Sequence, residues 1–157
     1  MISRIGITLS VLLTLGIDNA QAGFRMGACP DYQLMENFDA TRYVGKWYEI
    51  YRDKDTTFEA GTNCCVVNYG LIGEGKVSVY NRAIYDDSGE VNSIRGIATC
   101  KGSNCKVKFD PFYIPPGPYF VVDTDYSNYA VVYSCTNYLF GLFKEEATLM
   151  FYSENKQ

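Results

Sequence analysis

Apolar and polar residues alternate in short runs along most of this chain. "KVSVYNRAI" places Val77, Val79, Asn81 and Ala83 on one side and Ser78, Tyr80 and Arg82 on the other, because successive side chains of a strand point to opposite faces. "VKF" sets Val107 and Phe109 against Lys106 and Lys108, and in "NSIRGIA" the face opposite Arg95 holds Ile94, Gly96 and Ala98. Eight such segments, rich in Val, Ile, Tyr and Phe, cover residues 45–52, 64–72, 76–84, 90–99, 105–110, 118–124, 128–135 and 146–153. They are divided by "GEG", "DDSG", "KGSN", "PFYIPPGP", "DYSN" and a longer "TNYLFGLFKE". Short strands between Gly-, Asn- and Asp-rich turns predict an antiparallel sandwich or barrel. The lead-in "GFRMGACPDYQLMENFDATRYV" reads as irregular, with one helical turn at Asp39–Val44. No long stretch has helical period, and no repeat or low-complexity tract is present.

Several inward positions are small. A barrel lined partly by Gly and Ala leaves room for a void that Leu and Phe would fill, and about eight strands is the size at which a barrel just encloses one small ligand.

Ahead of the strands, Met-Ile-Ser-Arg is followed by the apolar run "IGITLSVLLTLGI" and the small-x-small site Ala20-Gln21-Ala22. One early positive charge, a short hydrophobic region and such a site describe a secretory signal peptide over residues 1–22, with one domain over residues 23–157. The run is shorter than the roughly 20 residues of a spanning helix. The expected product is secreted and extracellular, with no integral membrane segment.

Composition narrows the chemistry. Six cysteines in an exported chain argue for disulfides rather than a metal. The net charge is −4 with no basic run, so nucleic acid is not an expected partner. The chain has no histidine. That excludes Ser-His-Asp and Cys-His relays, imidazole zinc sites and haem on a proximal histidine. No metal or cofactor is expected, and no N-x-[ST] sequon is present.

Two blocks carry a family resemblance. "GKWYEI" (45–50), which holds the only tryptophan, resembles the Gly-x-Trp-Tyr signature that opens the first strand of the lipocalins. "TDYSNYAVVYSC" (124–135) resembles their Thr-Asp-Tyr turn between the sixth and seventh strands. "CVVNYGL" and "NFD" are similar to the branch holding apolipoprotein D, the insect bilin-binding proteins and the crustacyanins. The resemblance covers roughly residues 27–153 and implies an eight-stranded up-and-down antiparallel barrel. It also implies a barrel floor made by Gly45 and Trp47. Gly45 permits a tight turn, and the buried indole N–H needs a partner. A direct ligand contact is the rival role for Trp47.

The chain departs from the family in two places. Glu154 stands where relatives carry a cation over the tryptophan, so Lys156 substitutes or the floor closes differently. The long C-terminal helix is missing from these 157 residues, leaving either a short product or a fragment.

The resemblance further implies a Cys29–Cys135 disulfide tying the N-terminal strap to the seventh strand. On the chain-entropy argument that loop closure contributes about 4–5 kcal/mol. Cys100 and Cys105 bracket the tight turn "KGSN", where cysteines facing across a hairpin approach the ~5.5 Å Cα separation a disulfide prefers. Cys64 matches a family cysteine whose usual partner lies beyond this chain, and it points outward by strand parity. Cys65 shares the inward face of Val67 and Tyr69. The readings left for this pair are a buried small hydrophobe at Cys65, a bond between neighbours, an intermolecular bridge through Cys64, or a reactive cavity thiol.

These implications converge on a carrier of a small hydrophobic ligand such as a lipid, sterol, fatty acid, carotenoid or bilin. Tyr69, Asn81 and Tyr119 are the polar contacts expected, with Val79, Ile94, Phe109, Val121 and Met150 as apolar wall. Asn81 needs a partner wherever it is buried, and a backbone group would serve as well as a ligand. The loop "PFYIPPGPY" offers Phe112, Tyr113 and Ile114 either to the rim or to a second barrel in a homo- or heterodimer. Two other functions fit the same fold: a lipid isomerase using a cavity thiol, and a protein-interaction module with a filled barrel. The expectation is a non-enzyme, with no catalytic residue.

Overall fold

A computed structural model describes residues 24–54 and 56–153 of the chain. The expected signal peptide over residues 1–22, Glu154 and Lys156 lie outside the described residues. The elements are β1 (Phe24–Met26), α1 (Ala40–Tyr43), β2 (Gly45–Arg52), β3 (Thr62–Gly73), β4 (Lys76–Tyr85), β5 (Val91–Lys101), β6 (Asn104–Phe109), β7 (Gly117–Thr124), β8 (Tyr129–Tyr138) and β9 (Phe143–Tyr152). Strands β2 to β9 pair antiparallel with their sequence neighbours, and β9 also pairs with β2, through Leu149–Tyr152. The sheet therefore closes into the expected eight-stranded up-and-down barrel. Closure leaves no open edge among these eight strands to be protected.

Two boundaries differ from expectation. The lead-in is not wholly irregular, because β1 adds to the first residues of β9, Phe143–Glu145, beyond the point where β2 stops. Most of "TNYLFGLFKE" is strand as well. β8 runs to Tyr138 and β9 starts at Phe143, with a short 3-10 turn at Leu139–Gly141 between them. Exposed Leu and Phe carry no alternation that would mark these strand ends, so pairing decides them.

Connections fall at two ends. The β3–β4, β5–β6 and β7–β8 turns share one end with α1, and the β2–β3, β4–β5, β6–β7 and β8–β9 loops share the other. The α1 turn is started by Asp39, whose carboxylate accepts the Thr41 backbone N–H at 2.9 Å, as an N-cap residue does. The β7–β8 turn is knotted by Asp125, which accepts backbone N–H groups from Ser127, Asn128 and Tyr129. Burial raises the Asp125 carboxyl, but these bonds outweigh it and hold the group well below the usual carboxylate range.

The inward faces match the alternation read from the sequence. Val77, Val79, Ala98, Val107 and Cys65 are buried. Gly96 is required by a close approach: a Cβ there would meet the Lys108 carbonyl oxygen at 2.5 Å and the Phe109 ring at 2.9 Å. Both anticipated disulfides are present, Cys29–Cys135 with a Cα separation of 5.9 Å and Cys100–Cys105 with 4.0 Å. Cys64 is exposed and Cys65 buried, and neither is bonded to another cysteine.

Candidate functional site

The end that carries α1 is closed by aromatic rings. Gly45 enters β2 at φ +118°, a backbone region open to glycine. Two residues on, Trp47 is fully buried. Its indole N–H donates to the Tyr43 carbonyl at 2.8 Å, and the Tyr43 ring stacks on it at 5.0 Å. The Tyr43 hydroxyl lies 2.9 Å from that of Tyr119, which lies 2.8 Å from that of Tyr69. Burial pushes all three phenols well above their ordinary value, so they stay neutral and share protons in a chain of hydrogen bonds. The void they border, with Val77, Ala98 and Val121, measures about 20 Å³, room for about one water.

The other half of the interior differs. Asn81, Ala83, Ile94 and Phe109 face inward yet remain half-buried. The Asn81 Oδ1 is buried without a hydrogen-bond partner. Two residues beyond Trp47 on the same face, Glu49 turns into the barrel, with its side chain only 7% exposed. A register shift between Glu49 and Tyr51 then reverses the alternation, pairing Arg52 with Leu149, whose side chain is buried. Such a bulge re-aims a side chain. Arg52 Nη1 contacts Glu49 Oε1 at 3.3 Å and Glu59 Oε2 at 3.1 Å, and its Nη2 donates to the Thr62 carbonyl. The Cys65 thiol faces Glu59 Oε1 at 3.8 Å, while Glu49 Oε2 is buried without a partner. Burial and the neighbouring Glu59 push the Glu49 carboxyl up to about 8, an effect that Arg52 only partly offsets.

The anticipated residues divide between these halves. Tyr69, Tyr119 and Val121 belong to the closed end, and both tyrosine hydroxyls are occupied by protein. Val79 is buried in the wall between Val77 and Asn81. Asn81, Ile94 and Phe109 line the half-buried part of the interior toward the loop end. Met150 is a correction. It is 39% exposed on the outer face, and Leu149 and Phe151 beside it point in. The strand lies where expected, and the buried Leu149 and Phe151 set the parity that turns Met150 outward. Sequence reasoning missed Glu49, Arg52 and Glu59. Counting by twos from Trp47 finds Glu49, whereas the bulge hides Arg52 and a loop supplies Glu59.

Cys65 is poorly suited to attack. Burial first, then the acidic Glu59 and Glu49, push its thiol far up, opposite to the direction a nucleophilic thiolate needs. At the rim, Phe112 and Tyr113 are 91% and 74% exposed. Their loop is tied to Lys108, whose ammonium donates to the Pro111, Phe112 and Ile114 carbonyls. Phe58, Leu139 and Phe140 are exposed in other loops of the same end.

The profile of the Lipocalin-like domain family matches residues 38–147, from Phe38 ahead of α1 to Ala147 in β9. The chain is a lipocalin. It is 42% identical over 135 residues to apolipoprotein D of Cavia porcellus, covering 83% of this chain and 69% of that protein. Apolipoprotein D of Mus musculus is 41% identical over 124 residues, covering 76% and 63%. The Lazarillo protein of Schistocerca americana is 31% identical over 140 residues, covering 86% and 64%. The lipocalin thus spans only about two thirds of the length of these relatives. Among solved structures, insecticyanin from the tobacco hornworm Manduca sexta superposes with a TM-score of 0.72 at 23% identity, over 82% of this chain and 70% of that one. Apocrustacyanin C1 superposes with a TM-score of 0.70 at 21% identity, over 83% and 74%. At those identities the likeness is one of fold.

Proposed function

We propose that this lipocalin is a secreted, non-enzymatic carrier of a small hydrophobic ligand held in the loop-end half of its barrel. The observation that supports this reading is a closed sheet whose inward Asn81, Ile94 and Phe109 stay half-buried instead of being packed out of contact with solvent. An apolar ligand entering there leaves water at a gain of roughly 25 cal/mol per Å² before ordering costs. Asn81, with an unsatisfied Oδ1, orients it, since one or two polar groups in an apolar pocket fix a ligand's pose. Two disulfides suit an oxidising compartment. The exposed apolar loops at the mouth ease transfer of an insoluble ligand from its source. The direction of the Cys65 shift weighs against the isomerase alternative.

The test is recovery of cargo from the secreted protein by organic extraction and mass spectrometry, with binding of an apolar fluorescent probe to the stripped chain. One molecule per chain is expected. Ala83→Trp, which fills the mouth-side lumen, is expected to abolish probe binding while the barrel still folds. Recovery of no small molecule, together with probe binding untouched by Ala83→Trp, would rule the carrier reading out.

A further inference from the structure

The cluster beside the lumen has a feature that ligand carriage does not use. Arg52 occupies one oxygen of each carboxylate, Glu49 Oε1 and Glu59 Oε2. The remaining oxygens are Glu59 Oε1, which faces the Cys65 sulfur, and Glu49 Oε2, which is buried without a partner on a side chain 7% exposed. An ionised carboxylate oxygen left without a donor in a low-dielectric site is costly, and in the metal-free chain only a proton lodged between Glu49 and Glu59 relieves it. One oxygen from each glutamate and the Cys65 Sγ all lie within 4.8 Å of one another.

We propose that Glu49, Glu59 and Cys65 form a binding site for one divalent transition-metal cation of the zinc class. A thiolate and two carboxylates are a donor set for a borderline-soft ion, and hard magnesium or calcium would not select the sulfur. Bond lengths of about 2.3 Å to sulfur and about 2.0–2.2 Å to oxygen place donors roughly 3.3–3.6 Å apart around one ion. The Cys65–Glu59 separation of 3.8 Å is close to that, and small side-chain rotations close the rest. Three protein donors leave the fourth tetrahedral position to water. Arg52 holds the opposite oxygens and so orients both carboxylates, as an outer-shell partner does.

Charge balances in the exchange. With the Cys65 thiol and one carboxyl protonated, Arg52 and the other carboxylate leave the cluster neutral. A divalent cation displaces the S–H and O–H protons to solvent and forms metal–sulfur and metal–oxygen bonds. Two positive charges enter, two leave, and no electron moves. The missing histidines exclude imidazole sites only, and this donor set needs none. The site stands apart from the carrier reading and survives its failure.

Cobalt(II) titration of the chain with both disulfides intact and oxygen excluded tests the assignment. A near-ultraviolet thiolate-to-cobalt band is expected, saturating at one ion per chain and bleached by equimolar zinc. Emission from Trp47, two residues from Glu49, falls in parallel. Cys65→Ser removes the band and Cys64→Ser leaves it. Glu49→Gln and Glu59→Gln weaken binding by about tenfold or more, since even loss of an outer-shell partner costs that much. If Cys65→Ser fails to fold, the glutamine variants carry the test, with Trp47 emission in the metal-free state reporting the intact fold. A folded wild-type chain without the band overturns the proposal. So does a band lost in Cys64→Ser and kept in Cys65→Ser, or one that neither glutamine variant weakens.

Discussion

The two halves of this barrel satisfy their polar groups in opposite ways. At the closed end, the hydroxyls of Tyr43, Tyr69 and Tyr119 and the indole N–H find a protein partner, and the void those rings border holds about one water. Toward the mouth, Glu49 Oε2 and Asn81 Oδ1 are buried without partners, and the inward side chains around Asn81 stay half-buried. Fully satisfied buried networks rigidify a core. Unsatisfied groups are what a binding site exposes to a guest, and each one calls for an explanation. The closed half is therefore framework, and the mouth half is where the ligand is proposed to bind.

Perturbing each half sharpens that contrast. The largest effect is expected from Trp47→Ala, which removes a fully buried ring and its bond to Tyr43. A loss of about 3–5 kcal/mol in denaturant unfolding is expected, and a loss under about 1 kcal/mol would show that the floor does not hold the barrel shut. Next is Tyr119→Phe. It strips the central hydroxyl and leaves those of Tyr43 and Tyr69 short of a bond, costing about 1–3 kcal/mol.

At the mouth end the expected signature is a pH dependence. Glu49 is raised from 4.5 to about 8 in the folded chain, so the native state binds more protons than the unfolded state between those values. Stability contributed by the protonated form is present at low pH and declines as pH rises from about 4.5 to 8. The groups facing Glu49 are Glu59, Arg52 and Cys65, and the two carboxyls titrate as a pair. Denaturant midpoints measured across that range are expected to fall in wild type and to flatten in Glu49→Gln. An equal slope in both would place the titration elsewhere. The smallest effect is expected from Asn81→Leu, which removes an unsatisfied acceptor and changes stability by less than about 1 kcal/mol. It is nonetheless expected to weaken ligand binding, so a large loss of stability would mean that Asn81 is framework as well.

Much of this was legible from residues alone. The alternation in "KVSVYNRAI" gave the inward faces of β4 correctly, and the glycine before Trp47 marked the turn into β2. The Cys100–Cys105 pair followed from its turn. Other features were hidden for physical reasons. Met150, expected in the apolar wall, lies on the outer face, and its buried neighbours Leu149 and Phe151 carry the parity of that strand. Arg52 turns inward only because a bulge adds a residue to β2, which simple alternation cannot register. Tyr69 and Tyr119 were visible as inward polar groups, but their mutual bond joins strands far apart in the chain.

Local patterning, with a period of two and turns rich in glycine and asparagine, was enough to determine most strands, most of their faces and an antiparallel all-β class, while the closed barrel was implied by the lipocalin resemblance. The identity of each polar group's partner was decided only in three dimensions. A hydroxyl or carboxylate is satisfied by whatever the closed sheet brings within about 3 Å, and that neighbour is set by register, bulges and loops rather than by adjacency in sequence. The division of one barrel into a filled floor and an accessible mouth therefore belongs to the tertiary structure.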